Sequence, residues 1–304
     1  MDAPVISVEH LRKRYGATVA VDDVSFEVQR GEIFGLLGPN GAGKTTTVEC
    51  LQGLRRPEGG SVQVLGLDPA REGLELRRRI GSQLQDSGLP PRMRVWEALD
   101  LFASVAARPA DADALLAQWG LADKRAAPFA SLSGGQQQRL FVALALLNEP
   151  EVVFLDEMTT GLDPAARRVA WDLIRGIRER GTTVVLVTHF MDEAERLCDR
   201  VGVVVGGRVV ALDTPQGLVA HHAPGMRLTF TTDAEDLSWL SEISCVRRVE
   251  RWGRRVEIEG VDPVIVLVSN ALVQRGITPE GLRVDQPTLE DVFLHLTGET
   301  PREG

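Results

Sequence analysis

A glycine-rich loop is the clearest candidate for chemistry in this chain. Residues 38–45 read GPNGAGKT and fit the pattern G-x-x-x-x-G-K-[ST]. A predicted strand precedes the loop and a predicted helix follows it, which is the context in which such loops bind phosphate. Lys44 is one of three lysines in a chain whose other basic residues are all arginines. A compact ammonium group suits the outer phosphates of a nucleotide better than a forked guanidinium.

The physical chemistry of this loop predicts its ligand. Glycines let backbone N–H groups turn inward around a phosphate, and the helix that starts near Gly43 adds the positive end of its dipole. The Thr45 hydroxyl is suited to Mg²⁺. The alternative is a glycine-rich turn before an ordinary helix, which motif and context together disfavour. The residues predicted to contact the nucleotide here are Gly38, Pro39, Asn40, Gly41, Ala42, Gly43, Lys44, Thr45 and Thr46.

Two adjacent acids follow an apolar run in the stretch VVFLDE. A carboxylate at the end of a buried strand is costly unless a cation or hydrogen bonds meet it. We expect Asp156 to help hold Mg²⁺ and Glu157 to face a water that attacks the γ-phosphate. On their own the two acids could equally be surface residues, and the phosphate loop upstream favours the functional interpretation.

A second helix start carries glycines in the stretch LSGGQQQRL, residues 132–140. Ser133 is typical of an N-cap, and the two glycines after it leave the first N–H groups of the helix exposed. The alternative is a plain capped helix. The chain thus has two helix N-termini suited to bind an anion, which raises the question of whether a single nucleotide uses both.

The elements around these motifs predict an α/β protein. Buried apolar runs alternate with helical patterns, which indicates a partly parallel sheet. Residues 92–148 are mostly helical and form a predicted inserted subdomain. We expect a turn at Asp22–Asp23, a first domain over residues 1–224, and a small βαββαβ unit with an added helix over residues 225–304.

Composition excludes several classes of protein. The net charge is −9, which argues against a nucleic-acid-binding protein. No apolar run approaches the length that spans a bilayer, and the start lacks the layout of a signal peptide, so we do not expect the chain itself to enter a membrane. The three cysteines are scattered without metal-site spacing, which favours a reducing cytoplasm.

Together these motifs resemble the ATP-binding-cassette (ABC) ATPases. The phosphate loop, LSGGQ, VVFLDE, the GLD of residues 161–163 and a histidine after VVLVT occur in the family's order, and the match covers roughly residues 5–220. The resemblance implies a P-loop NTPase core of ABC type, with an antiparallel β subdomain, an inserted helical subdomain and a small α+β C-terminal domain. It also implies ATP and Mg²⁺ as cofactors. Two copies would meet head to tail, each ATP lying between the phosphate loop of one and the LSGGQ of the other.

The resemblance assigns further roles. Tyr15 would stack on adenine, Gln85 would reach Mg²⁺ or the attacking water, and His189 would contact the γ-phosphate. Gln83 is a less favoured substitute for Gln85. Each of these residues alone could be structural, but not plausibly the whole set. The predicted catalytic residues are Lys44, Gln85, Glu157 and His189; the Mg²⁺ ligands are Thr45, Gln85 and Asp156; and the subunit-interface contacts are Ser133, Gly134, Gly135, Gln136 and Asp163.

One residue departs from the family pattern. Met158 stands where the family usually has proline, which would fix φ and remove a backbone donor. Its absence could loosen the turn that carries Glu157. We expect ATPase activity to be retained, because the acidic and magnesium-binding groups remain.

The resemblance also implies a partner. A separate membrane permease would dock its cytoplasmic helices near Gln85 and the stretch RMRVWEALDLFASV, and would hold the chain at the cytoplasmic face of the membrane. The helical stripe Trp96, Leu99, Phe102 and Val105 lies in that stretch and is more typical of core than of a docking face. The ending PTLEDVFLHLTG resembles drug-export ATPases of the daunorubicin-resistance type. The alternatives are a soluble ABC ATPase of translation or DNA repair and an importer subunit.

Overall fold

The fold has two compact units. The computed structural model describes residues 3–83, 88–223 and 225–298. The chain divides into residues 1–216 and 217–304, so the predicted boundary near residue 224 falls within the second unit. Each unit has its own sheet and is described on its own.

The first unit is built on a mixed sheet. Its strands, within the described residues, are β1 Ile6–Tyr15, β2 Thr18–Val28, β3 Ile33–Leu37, β4 Gly59–Val64, β5 Ile80–Gln83, β6 Val152–Asp156, β7 Thr183–Thr188, β8 Arg200–Val205 and β9 Arg208–Asp213. They lie in the order β4-β1-β2-β9-β8-β3-β7-β6-β5. The β4-β1-β2 end is antiparallel, which confirms the predicted antiparallel subdomain.

The other end of this sheet positions the candidate chemistry. Strands β5, β6, β7, β3 and β8 pair in parallel, and β3, β6 and β7 are buried along their whole length. Continuous apolar strands of this kind suit a parallel sheet covered on both faces. Because the strands are parallel, their carboxyl ends share one edge, where ligands of open α/β sheets bind.

Helices cover this sheet and connect its strands. Those of the first unit are α1 Lys44–Leu51, α2 Gly73–Leu76, α3 Val95–Val105, α4 Ala112–Gln118, α5 Gly134–Leu146, α6 Pro164–Glu179 and α7 Met191–Leu197, and α8 Pro215–His222 crosses to the second unit. Along the chain, helices α3, α4 and α5, with two short 3₁₀ helices, follow β5 and precede β6. They form the predicted helical subdomain. No described helix in either unit has the length and apolar character needed to cross a bilayer.

The second unit is an α+β fold. Its elements are β10 Met226–Thr231, a 3₁₀ helix Ser238–Glu242, β11 Val246–Trp252, β12 Arg255–Gly260, α9 Val264–Gln274, β13 Glu280–Asp285 and α10 Leu289–Thr297. The strands form an antiparallel sheet in the order β11-β12-β10-β13. Alternate apolar side chains of β10 and β12 pack with the apolar face of α9 to form the core.

Two local predictions are wrong. The expected turn at Asp22–Asp23 is the middle of β2, because Asp22 pairs with Arg208 and Asp23 with His10. The first helix of the predicted βαββαβ unit is only the 3₁₀ helix Ser238–Glu242. There the Asp236 carboxylate accepts hydrogen bonds from the backbone and side chain of Ser238, which competes with regular helix formation.

Candidate functional site

The loop after β3 is a preformed cradle. Gly41 and Gly43 have φ values of +79° and +98°, a backbone conformation that favours glycine. A Cβ atom at Gly43 would collide with the carbonyl oxygen of Ala20, and one at Gly38 with that of Val204. The loop can therefore pack this closely against the neighbouring strands only because Gly38 and Gly43 carry no side chain.

Lys44 closes this cradle from within. It is 5% exposed, and its Nζ donates hydrogen bonds to the carbonyl oxygens of Gly38 at 2.7 Å and Pro39 at 3.0 Å. Burial lowers the pKa of Lys44, whereas the nearby charges of Glu157 and Asp156 raise it. The ammonium group is thus held at the loop by neutral carbonyls, which a phosphate with its full charge can outcompete.

Asp156 ends β6 beside the start of α1. It is 3% exposed, and burial raises its pKa to about 6 from an ordinary value of 3.8. A hydrogen bond from the Thr45 hydroxyl and the charge of Lys44 act in the opposite direction. The strand has therefore placed a carboxylate in a poorly hydrated position, where its charge needs compensation.

The same carboxylate suits Mg²⁺. Among the described residues, Oδ1 of Asp156 is buried and has no hydrogen-bond partner. Thr45 and Asp156 offer oxygen atoms side by side, which is the ligand chemistry that Mg²⁺ prefers, usually with phosphate oxygens and waters completing its shell. The orphaned oxygen therefore fits a cation bound together with a nucleotide.

Glu157 and His189 meet at the ends of β6 and β7. Their Oε1 and Nδ1 atoms are 3.2 Å apart. Glu157 has a φ of +50°, rare for a residue with a side chain, and its N–H donates to the carbonyl of Val187 at 2.9 Å. Strain of this kind costs of order 1–3 kcal/mol and persists where the surrounding structure enforces it. The neighbouring strand thus holds Glu157 against His189.

The second glycine-bearing helix start lies in a different place. Ser133 caps α5, and its capping box is complete: its Oγ accepts from the Gln136 N–H at 3.3 Å, and its N–H donates to Oε1 of Gln136 at 2.9 Å. Ser133 and Gly134 are exposed. Gln136 uses its side chain to cap the helix, so a ligand here would meet Ser133 and backbone N–H groups first.

Asp163 faces the same cleft as Ser133. Its Oδ1 caps α6 by accepting from the N–H groups of Ala165 and Ala166, both at 2.9 Å. Met158 is fully buried and lines the floor of this cleft. The residue that departs from the family pattern therefore lies between Glu157 and the cleft that holds Ser133.

Tyr15 ends β1 and is 43% exposed. Its ring lies 5.4 Å from Nζ of Lys13 and 6.0 Å from Cζ of Arg55. Ala20, on the paired strand β2, has its carbonyl oxygen next to Gly43. An exposed aromatic face near the phosphate loop, with cations beside it, can stack on a nucleobase.

The sequence-predicted residues thus fall into separate groups. The structure brings together Lys44, Thr45, Asp156, Glu157 and His189, and it places Ser133, Gly134, Gly135 and Asp163 around another cleft. Gln85 lies outside the described residues. Gln83, the substitute considered for it, is buried at the end of β5.

Glu193 and Gln52 are buried polar residues that the sequence analysis did not single out. Glu193 accepts a hydrogen bond from Nε1 of Trp171, and Gln52 is the C-cap of α1. The available signal for Glu193 was an acid on the apolar face of a helix, beside Ala194 and Leu197. Gln52 had no comparable signal, because only its tertiary surroundings make it unusual.

The chain is similar to a known protein family and to solved structures. The model of a family described as "ABC transporter" matches residues 21–160. The chain is 40% identical to Nod factor export ATP-binding protein I of Ralstonia nicotianae, over 99% of this chain and 96% of the relative. It is 39% identical to a daunorubicin resistance ATP-binding protein of Streptomyces coeruleorubidus, over 98% and 97% of the two chains. It is also similar to the ABC transporter cassette MJ0796, solved as a dimer, with a TM-score of 0.62, 28% identity, and coverage of 69% of this chain and 98% of that one.

Proposed function

The chain belongs to the ABC transporter family, as an ATP-binding subunit that hydrolyses ATP, and from this premise we propose that it powers an exporter of drugs or other hydrophobic compounds. The support for export is likeness along nearly the whole chain to proteins named for Nod factor export and daunorubicin resistance. The single observation that carries the chemistry is the convergence of Lys44, Asp156, Glu157 and His189 on one edge of the parallel sheet.

Each of these residues has a role that its surroundings support. Loop N–H groups and Lys44 bind the phosphates, and Thr45 with Asp156 would hold Mg²⁺, which when bound neutralises phosphate charge. Glu157 accepts a hydrogen bond from the attacking water and orients it, and His189, 3.2 Å from Glu157, contacts the γ-phosphate. Phosphoryl transfer needs positioning and charge neutralisation more than covalent chemistry, and this arrangement supplies both.

A second copy of the chain completes the site. Ser133 and Asp163 share a cleft that does not include Lys44, Asp156 or Glu157. In a head-to-tail pair, the Ser133 helix start of one copy would bind the γ-phosphate held by the loop of the other. ATP then joins the two copies, and hydrolysis releases them. The dimeric MJ0796 cassette supports such a pair.

The decisive experiment changes the group that faces the water. Glu157→Gln keeps the size and hydrogen-bonding capacity of the side chain but removes its negative charge. We expect turnover to fall by about 100-fold or more, with ATP binding retained, and we expect an ATP-bound dimer to accumulate. Size-exclusion chromatography with and without ATP, together with single-turnover hydrolysis, measures both effects.

Two results would contradict this function. Near-parental turnover in Glu157→Gln would remove Glu157 from the chemistry. A crosslink that places Ser133 far from the γ-phosphate in the ATP-loaded, permease-bound state would remove the shared site. Glu149→Gln is a control, because Glu149 is a surface acid just before β6 and should not affect turnover.

We expect the permease to dock in a groove beside α1. It is lined by apolar side chains from the end of α1, from β5 and from the helical subdomain, among them Leu54, Phe102 and Val105. Val105 is 79% exposed, whereas Leu99 of the same helical stripe is buried. The stripe is therefore divided between core and surface. At the edge of this groove both side-chain polar atoms of Gln52 are buried and lack a partner among the described residues.

Gln52 offers a test of docking. A buried amide without partners costs about 1–3 kcal/mol, which an incoming permease segment could recover by bonding to it. Gln52→Leu should therefore stabilise the isolated subunit while reducing permease-stimulated ATPase several-fold. Exposed Gln63→Leu is the matched control and should change neither. Unchanged stimulation in Gln52→Leu would show that the permease binds elsewhere. A permease bound in this groove would also hold the chain at the cytoplasmic face of the membrane.

A further inference from the structure

Arg167 is a partly buried arginine that the chemistry above does not use. It lies near the start of α6, where its backbone N–H donates to the carbonyl of Asp163 at 2.9 Å. Its side chain is 21% exposed, and its Nε is buried and has no hydrogen-bond partner among the described residues. A buried N–H group without a partner is costly, so other contacts must hold the guanidinium in this position.

The guanidinium of Arg167 contacts two residues at the start of α7. Its Cζ lies 4.2 Å from the ring centroid of Phe190, which is within the range of a cation–π interaction. Its Nη1 lies 3.7 Å from Oδ2 of Asp192. Phe190 is the N-cap of α7, and Asp192 belongs to the first turn of that helix. One arginine of α6 therefore restrains the start of α7 at two points.

Phe190 in turn contacts the proposed catalytic histidine. The ring centroids of Phe190 and His189 are 4.1 Å apart, with an angle of 39° between the ring planes. The backbone of Phe190 is fixed on both sides, because its N–H donates to the Thr188 hydroxyl at 3.0 Å and its carbonyl accepts from the Ala194 N–H at 3.2 Å. The ring of Phe190 thus stands on an anchored backbone and contacts both Arg167 and His189.

We propose that Arg167 is a positioning residue which, by holding the ring of Phe190, keeps His189 at hydrogen-bond distance from Glu157. It would then set turnover rather than ATP affinity, a proposal that rests on the proposed roles of His189 and Glu157. The His189 side chain is 35% exposed, so other ring orientations are open to it unless its ring neighbour is held. ATP affinity depends mainly on the loop of residues 38–45, which the contacts of Arg167 described above do not include.

The first test removes the guanidinium. In Arg167→Leu we expect kcat to fall by about tenfold, because small displacements of the groups around a reacting centre are costly, while KM for ATP stays within about twofold. A crystal structure of this variant should show Nδ1 of His189 beyond hydrogen-bond distance from Oε1 of Glu157. Arg175→Leu is the matched control, because Arg175 also lies on α6 but donates to the carbonyl of Arg196 at the other end of α7. It should leave kcat within about twofold.

A double-mutant cycle separates positioning from packing. If Arg167 acts through His189, Arg167→Leu should change kcat by less than about twofold in a His189→Ala background. A role in packing alone would lower kcat by the same factor in both backgrounds. Single-turnover hydrolysis measures the low rates, and activity should be referred to the folded fraction, measured by circular dichroism.

Variants of Phe190 decide the question if Arg167→Leu fails to fold. Phe190→Leu removes the ring and should lower kcat several-fold with KM unchanged, whereas Phe190→Tyr keeps the ring and should keep kcat within about twofold of the parent.

The proposal is overturned if Arg167→Leu and Phe190→Leu keep parental kcat, or if KM rises instead of kcat falling. It is also overturned if Arg175→Leu loses as much kcat, or if Arg167→Leu keeps its full effect in the absence of the His189 ring. These outcomes are distinct from failure of the proposed function, which Glu157→Gln measures in the presence of intact Arg167.

Discussion

Helices α1 and α5 both begin with glycines and exposed backbone N–H groups, but their surroundings differ. At α1 a buried lysine lies inside the loop and two carboxylates stand beside it. At α5 the capping box pairs only the N–H groups of Ser133 and Gln136, and the arginine of its cleft, Arg139, donates to the carbonyls of Gly135 and Trp119.

The two helix starts therefore have different roles in the proposed site. The α1 start has charge, a cradle and a place for a cation, so it can bind a nucleotide within one chain. The N-terminus of α5 has the helix dipole and the Ser133 hydroxyl, but its arginine, Arg139, is bonded to backbone carbonyls. It is therefore a weak anion site when alone. It contributes most when a partner brings a phosphate to it.

The largest effect should come from removing the charge at α1. In Lys44→Ala we expect ATP affinity to fall by about 100-fold, since a charge-assisted contact to phosphate is lost. Isothermal titration calorimetry measures it. Lys124→Ala is the control, because that lysine is in the helical subdomain beside Asp123 and should bind ATP normally. Equal ATP affinity in the two variants would show that nucleotide binding at the α1 start does not depend on Lys44.

Removing the α5 cap should lower turnover without lowering the ATP affinity of the single subunit. In Ser133→Ala we expect ATP affinity of the single subunit to stay within about twofold, while kcat falls about tenfold or more. Loss of the cap itself costs about 1 kcal/mol of stability. Thr288→Ala removes a similar capping box from α10 and controls for that cost. A loss of affinity like that of Lys44→Ala would place both helix starts in one binding site.

Substitution of Asp156 should have a smaller effect, and on the free energy of unfolding. Its pKa is raised to about 6 in the fold, so its contribution to the free energy of unfolding is greatest below about pH 4 and is lost as pH rises through about 6. In Asp156→Asn the nucleotide-free protein should gain at most about 3 kcal/mol at pH 7 and little at pH 4. Urea unfolding at both pH values measures this.

The control for that prediction lies at the other helix. Asp163→Asn exchanges one good N-cap residue for another, so stability should change little at either pH. If Asp156→Asn gains no stability at pH 7, then the charge of Asp156 is already compensated in the nucleotide-free protein.

The smallest effect concerns the turn between the two regions. Met158→Pro restores the residue usual in the family, and we expect turnover to change several-fold, because a proline disfavours the present φ of +50° at Glu157. Met158→Leu keeps the volume and the backbone freedom and should leave turnover near parental. An inactive parent protein would contradict the expectation that Met158 is tolerated.

Local sequence was sufficient where structure depends on neighbours in the chain. The loop from Gly38 to Thr45, the cap at Ser133 and the apolar run ending at Asp156 each follow from short patterns. Prediction failed at Asp22–Asp23, because distant Arg208 and His10 compensate two acids in the middle of a strand. No short pattern records a partner that far along the chain.

Motifs and hydrophobic periodicity in the sequence were enough to predict the family, the α/β class and the residue types of the nucleotide site. The tertiary structure was needed to show that Glu157 meets His189 and that Asp156 has an orphaned oxygen. Those facts arise from the parallel pairing of β3, β7 and β6, which brings together strand ends far apart in the chain. Distance and burial in that arrangement set the electrostatics of the site.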